Sequence, residues 1–137
     1  GQLAHSLRLD PRVVVLERKN IRTLPKEVIP EPVDLVTIDV SFISLEKVIP
    51  EIMPFLTEKG EIIALVKPQF EVGFGEVGAG GIVRDAEQHQ AVLDKILKKA
   101  LLWGEGGYAV IGSTPSLLKG KKGNQEFFIY LKKKEKE

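Results

Sequence analysis

The chain has no cysteine, which excludes a disulfide framework and any thiolate metal site and suits a reducing compartment. It has only two histidines, His5 and His89, far apart and without ligand spacing, so no metal centre is expected. Long hydrophobic runs are missing too: no apolar stretch approaches the ~20 residues that cross a bilayer. The opening GQLAHSLRLD lacks the basic and then apolar order of a secretory signal, and a cytoplasmic protein with no membrane partner is expected. Net charge is nearly absent, with 20 Lys and Arg against 19 Asp and Glu for a formal +1, so total charge makes no case for nucleic acid. A starting methionine is also lacking, which points to a fragment or a processed chain.

What is present is the composition of one globular domain: 137 residues, 43% hydrophobic and 28% charged, enough to bury a core and too apolar for disorder. Lysines gather in two places, Lys119, Lys121 and Lys122, then Lys132, Lys133 and Lys134. Such runs are usually solvated faces or tails; contact with phosphate is the functional alternative.

Residues 33–70 organise the rest. Residues 33–39 (VDLVTID) read as a strand ending in Asp39, covered on both faces, and 61–66 (EIIALV) as a strand ending in Lys67. Between them Ser44 is placed to cap a helix with Leu45, Val48, Ile49, Ile52, Met53 and Leu56 on one stripe. Pro50 and Pro54 interrupt that pattern, so a kink or boundary shift is expected, with Gly60 closing the helix. Upstream, residues 2–9 predict a short helix stopped at Asp10–Pro11. Residues 12–17 (RVVVLE) predict a buried strand, and 18–32 a loop with one helical turn around 24–29. Downstream, residues 69–84 are glycine-rich and predict a long mobile loop. Asp85 caps a strong helix, with Gln88 placed for a capping-box contact and Gly104 at its end. Residues 108–113 and 126–131 (EFFIYL) read as strands joined by a polar connection, and 132–137 as a charged tail. Alternating strands and helices predict an α/β fold, a largely parallel sheet with helices on its faces. The last two strands, having no helix between them, form an antiparallel pair.

Reactive groups of open α/β sheets gather at the carboxyl ends of strands. Asp39 alone could cap a turn, and Lys67 alone could be a solvated terminus. Together they are a candidate site, because adjacent strands hold such ends about 5 Å apart. A lysine beside an acid in a partly dry cleft can serve as a base where burial outweighs the acid's pull. Glu126 opens the antiparallel last strand and so reaches the same sheet end. The GFGEVG at residues 73–78 matches a dinucleotide fingerprint in letters but not in context, since it neither follows a strand directly nor opens a helix. A flexible lid is the better reading.

The segments GQLAHSLRLDPRVVVLERKNIR, DLVTIDVSFISL, GEIIALVKPQFEVG, GGIVRD and GNQEFF resemble the haemolysin A (TlyA-type) family of the FtsJ-like RNA 2′-O-ribose methyltransferase superfamily. The resemblance implies a three-layer, Rossmann-like class I methyltransferase sheet with strand order 3-2-1-4-5-7-6 and an antiparallel last strand. Residues 1–131 would be part of that domain, with its first two strands absent. It implies a Lys–Asp–Lys–Glu tetrad that methylates an RNA ribose hydroxyl with S-adenosylmethionine. The aspartate matches Asp39, the second lysine Lys67 and the glutamate Glu126. The first lysine, the glycine-rich cofactor loop and an S4-type RNA-binding domain are expected upstream of Gly1. Cofactor contacts match Glu17, Arg18, Asn20 and Asp39, although cofactor binding without the glycine-rich loop is not expected. RNA, in particular ribosomal RNA or ribosomal subunits, is the implied partner. Without its neighbours the strand at residues 12–17 should be displaced, and an exposed sheet edge should favour self-association. The alternatives are a non-enzymatic RNA-binding or assembly module and, less well supported, a cytolysin.

Overall fold

The computed structural model describes residues 2–73, 75–103 and 106–134. In chain order the elements are α1 (His5–Leu9), β1 (Val33–Ile38), α2 (Leu45–Ile52), β2 (Leu56–Val66), α3 (Pro68–Glu71), α4 (Ala86–Ala100), β3 (Tyr108–Pro115) and β4 (Phe127–Lys133). Short 3₁₀ turns, including Ile21–Thr23, Lys26–Val28 and Met53–Phe55, lie between them.

The strands form one sheet in the order β1-β2-β4-β3. β1 and β2 are parallel, with Val36 opposite Ile62 and Ile38 opposite Ala64. β4 is antiparallel to both β2 and β3, so β1, β2 and β3 run one way and β4 runs against them. The α/β class, the mostly parallel sheet and the antiparallel last strand are therefore as expected. The order also reproduces the 4-5-7-6 portion of the expected series.

Residues 12–17 are a correction. No strand forms there, and Val14 is 81% exposed. A β-run gains its stability from a hydrogen-bonded neighbour and a covered face; these residues have no paired strand, and only Val13 and Val15 are half-buried.

α2 starts where Ser44 Oγ accepts from Glu46 N at 3.1 Å. It ends at Ile52 rather than near Gly60. Pro54 has no N–H to offer the carbonyl of Pro50, and its ring would crowd that carbonyl, so the chain turns through Met53–Phe55 directly into β2. Gly60 lies inside β2, where a Cβ would come within 2.8 Å of the Leu56 side chain. α4 starts where Asp85 Oδ1 accepts from Glu87 N at 2.8 Å. Gln88 makes no capping-box return; its Nε2 donates to Glu76 O at 3.0 Å. The predicted stop at Gly104 lies outside the described residues.

The core lies on one face of the sheet. Ile38, Ile62, Ala64, Val66, Ile129 and Leu131 point inward and meet Leu45, Val48, Ile49 and Ile52 of α2 and Val92, Ile96 and Ala100 of α4. The alternate positions Leu35, Ile63 and Phe128 are 53%, 37% and 41% exposed, the period-2 pattern of a half-buried sheet. Cover on both faces of β1 is thus not found among the described residues; both long helices take the same side. Truncating Ile49, which is fully buried, to Ala should cost about 2–5 kcal/mol in urea unfolding. Leu35→Ser on the open face should stay within about 0.5 kcal/mol of the parent chain.

Candidate active site

The ladder between β2 and β4 ends with Val66 opposite Phe127. The next residues on the two strands, Lys67 and Glu126, therefore leave the sheet side by side. β1 ends at Ile38, so Asp39 emerges at the same edge. Lys67 Nζ lies 2.7 Å from Asp39 Oδ1 and donates to Ser41 Oγ at 3.1 Å. The Lys67 side chain is 13% exposed and that of Asp39 71%, so the lysine is drawn into the protein while its acid faces water. Glu126 is buried, and its Oε2 accepts from Gln69 Nε2 at 3.1 Å. Lys67, Glu126, Gln69, Ser41, Phe42, Phe70 and Gly120 line one cavity of about 120 Å³.

Several of these residues carried no signal on their own in the sequence. Phe42 is 82% exposed, has φ of +63° and stacks obliquely on Phe70 with ring centroids 4.8 Å apart. A bulky residue with positive φ is uncommon, and this one stands exposed at the rim of the cavity. Gly120 lies against Glu126, whose carboxylate any Cβ at that position would strike. Gln69 Oε1 is buried and has no hydrogen-bond partner.

Glu71 follows Lys67 by one turn. It is buried, and its carboxylate accepts from Ser44 Oγ at 2.6 Å and from Leu45 N at 2.8 Å. Burial raises its proton affinity above the ordinary value of 4.5, against the pull of those two donors.

The glycine-rich segment is more firmly held than its composition suggests. Buried Asn124 accepts from Val83 N and donates to Gly81 O, each at 3.0 Å. The His89 Nε2 lies 2.8 Å from Val83 O. Moving residues 79–83 as a lid would break these bonds. α3 stands between β2 and Gly73, which removes any dinucleotide reading of the glycines.

Glu17, Arg18 and Asn20 lie apart from the Lys67 cavity. Glu17 pairs with Arg8, and with Arg18 it lines a groove of about 750 Å³ whose other walls include Leu3, Val13 and Leu16. Asn20 Oδ1 accepts from Arg22 N at 3.0 Å and caps the turn that follows.

A sheet whose antiparallel strand is inserted beside β2, with an acid, a lysine and a glutamate at one end, has the arrangement expected of a methyltransferase-type α/β domain. Residues 1–133 match the FtsJ-like methyltransferase family, and the chain belongs to it. It is 47% identical over 132 residues to the 16S/23S rRNA (cytidine-2'-O)-methyltransferase TlyA of Mycobacterium tuberculosis, covering 96% of this chain and 48% of that protein. Hemolysin A of Brachyspira hyodysenteriae is 36% identical, covering 95% of this chain and 53% of its own. A crystal structure of a Lactococcus lactis protein, provisionally named a hemolysin, superposes with a TM-score of 0.89 at 42% identity, over 97% of this chain and 62% of that one. The chain thus spans about half the length of the curated relatives it matches.

The raised proton affinity of Glu71 has a definite pH consequence. Its contribution to stability is fully present below the ordinary glutamate value and is lost as pH rises through the higher folded-state value. In denaturant titrations from pH 4 to 7, the native chain should therefore lose stability relative to Glu71→Gln. A constant difference between the two proteins would contradict the assignment.

Proposed function

We propose that this chain carries the acceptor-activating part of an RNA 2′-O-ribose methyltransferase that acts in the cytoplasm on ribosomal RNA when the protein is intact. The observation that carries the reading is Lys67 Nζ, 2.7 Å from Asp39 Oδ1 and sharing a small cavity with buried Glu126. Family membership and the rRNA methyltransferase names of close relatives support it.

Transfer of a methyl group to a hydroxyl needs alignment and removal of one proton. Lys67 Nζ, in its neutral form, takes that proton from the ribose 2′-hydroxyl. Asp39 and Ser41 hold Nζ in place, and Asp39 stabilises the ammonium that results. Glu126, its carboxylate fixed by Gln69, is the second orienting carboxylate: it shapes the cavity wall beside Lys67 and leaves the hydroxyl's one proton to Lys67. S-adenosylmethionine, when bound, supplies the electrophilic methyl group. Part of a site for such a group is present: the groove beside Glu17 and Arg18 has apolar walls that suit an adenosine, while the Glu17 carboxylate is held by Arg8. Glu17, Arg18 and Asn20 would hold its adenine side, and Asp39, exposed at the strand end, its reactive end.

The rim suits RNA. Phe42 offers a free aromatic face, on which a base stacks for about 1–3 kcal/mol. Lys119 and Lys122 belong to the loop that brings Gly120 against Glu126 and can meet phosphates. The free edge of β1 and the exposed Val14 and Leu16 favour self-association of the chain.

Lys67→Ala in the intact protein should lower methyl transfer to ribosomal RNA by about 10²- to 10⁴-fold, measured with radiolabelled S-adenosylmethionine. The melting temperature should hold, because the side chain is not part of the apolar core. A rate equal to that of the native protein would remove Lys67 from the mechanism. The 137-residue chain should not turn over by itself, and robust methylation by it would refute that part of the proposal.

A further inference from the structure

Two segments build the acting edge of the sheet, the loop at residues 39–45 and the turn at residues 67–71. They touch at three levels. At the exposed end Lys67 meets Asp39 and Ser41. In the middle Phe42 lies on Phe70. At the buried end the carboxylate of Glu71 receives Ser44 Oγ at 2.6 Å and Leu45 N at 2.8 Å.

These levels differ in holding power. Asp39 is 71% exposed, and solvent weakens an ion pair with such a partner. Glu71 is itself buried, and its two carboxylate oxygens each take a bond from the other segment, which makes the link directional and expensive to leave unmade. Both halves of the link are stiff. The turn is closed by Phe70 N to Lys67 O at 2.9 Å and Val72 N to Pro68 O at 3.0 Å. On the other side Ser44 also caps α2, accepting from Glu46 N, and Leu45 N is an otherwise unpaired first-turn donor. From α4, Lys95 Nζ reaches Glu46 Oε2 at 3.4 Å and Glu71 O at 3.5 Å.

We propose that Glu71 is a positioning residue: it clamps the loop carrying Asp39, Ser41 and Phe42 to the turn carrying Lys67, and so sets the geometry in which Lys67 acts. The proposal rests on the reading of Lys67 as the proton acceptor. Its structural half, the clamp on residues 39–45, stands apart from that reading.

The test uses the intact protein with Glu71→Ala and Glu71→Gln. Gln can still accept from Leu45 N and donate to Ser44 Oγ, whereas Ala can do neither. Below its own melting temperature Glu71→Ala should lose about 10- to 100-fold in kcat, since misplacement by an ångström can cost that much. KM for S-adenosylmethionine and for RNA should change less than about twofold, the mark of lost alignment rather than lost binding. Glu71→Gln should recover kcat to within about threefold. A kcat for Glu71→Ala near the native value, a change confined to KM, or a Gln variant as impaired as Ala would each overturn the proposal. Hydrogen exchange supplies a readout without turnover: in Glu71→Ala, amides of residues 40–45 should exchange at least about tenfold faster while those of α4 do not change. Unchanged exchange at residues 40–45 would refute the clamp. The expected exchange pattern in Glu71→Ala, together with a native protein that transfers no methyl group, would leave the clamp standing and defeat the methyltransferase reading.

Discussion

The antiparallel register of β4 against β2 is the constraint on which the site depends. With Val66 opposite Phe127, Lys67 and Glu126 leave the sheet as neighbours although they lie 59 positions apart in the chain. A slip by one residue would turn every side chain of β4 to the other face, moving Ile129 and Leu131 out of the core. The apolar burial that fixes the fold therefore also fixes the glutamate beside the lysine. Asp39 is placed by the parallel register of β1 on β2, which is locked in the same way through Val36 and Ile38.

Much of this was legible because it depends on local chemistry and period. Asp39 and Lys67 each terminate a run of β-formers, and the absence of a helix between the last two strands forces their antiparallel pairing. The helical stripe of Leu45, Val48, Ile49 and Ile52 and the Ser44 and Asp85 caps were equally readable. The segment at residues 12–17 failed for a non-local reason: β-propensity describes fit to a half-buried pleated surface, and a valine run with no partner strand has no such surface. The end of α2 was misplaced because the apolar stripe continues through Met53 and Leu56 while Pro54 forbids the helix to follow it. Cover of the second sheet face could not be inferred from strand composition, since Leu35 and Ile63 read as apolar whether or not anything lies on them.

The site residues divide along the same line. Charged residues at strand ends announce themselves, whereas Phe42, Gly120 and Asn124 matter through contacts made across the fold. Gly120 is required by the approach of Glu126, and Asn124 by two backbone groups more than 40 positions upstream. Glu71, the glutamate of KPQFE, falls in the segment that the sequence reads as a mobile loop. Only the three-dimensional arrangement shows it buried and joined to the start of α2.

The buried polar and charged side chains among the described residues are Glu71, Asn124 and Glu126, and each ties the sheet's acting edge or the loops around it. Burying such groups costs free energy unless every donor and acceptor is matched, so a fold selected for stability alone would place apolar residues there. Elsewhere the interior does so, with aliphatic side chains from α2, α4 and the inward face of the sheet. Glu71 holds two segments together, Asn124 ties the glycine-rich stretch to the loop before β4, and Glu126 faces the cavity with Lys67. Concentrating costly, directional interactions at one edge fixes distances there that dispersion contacts, being non-directional, would leave loose. A proton transfer of the kind proposed for Lys67 needs that kind of frame.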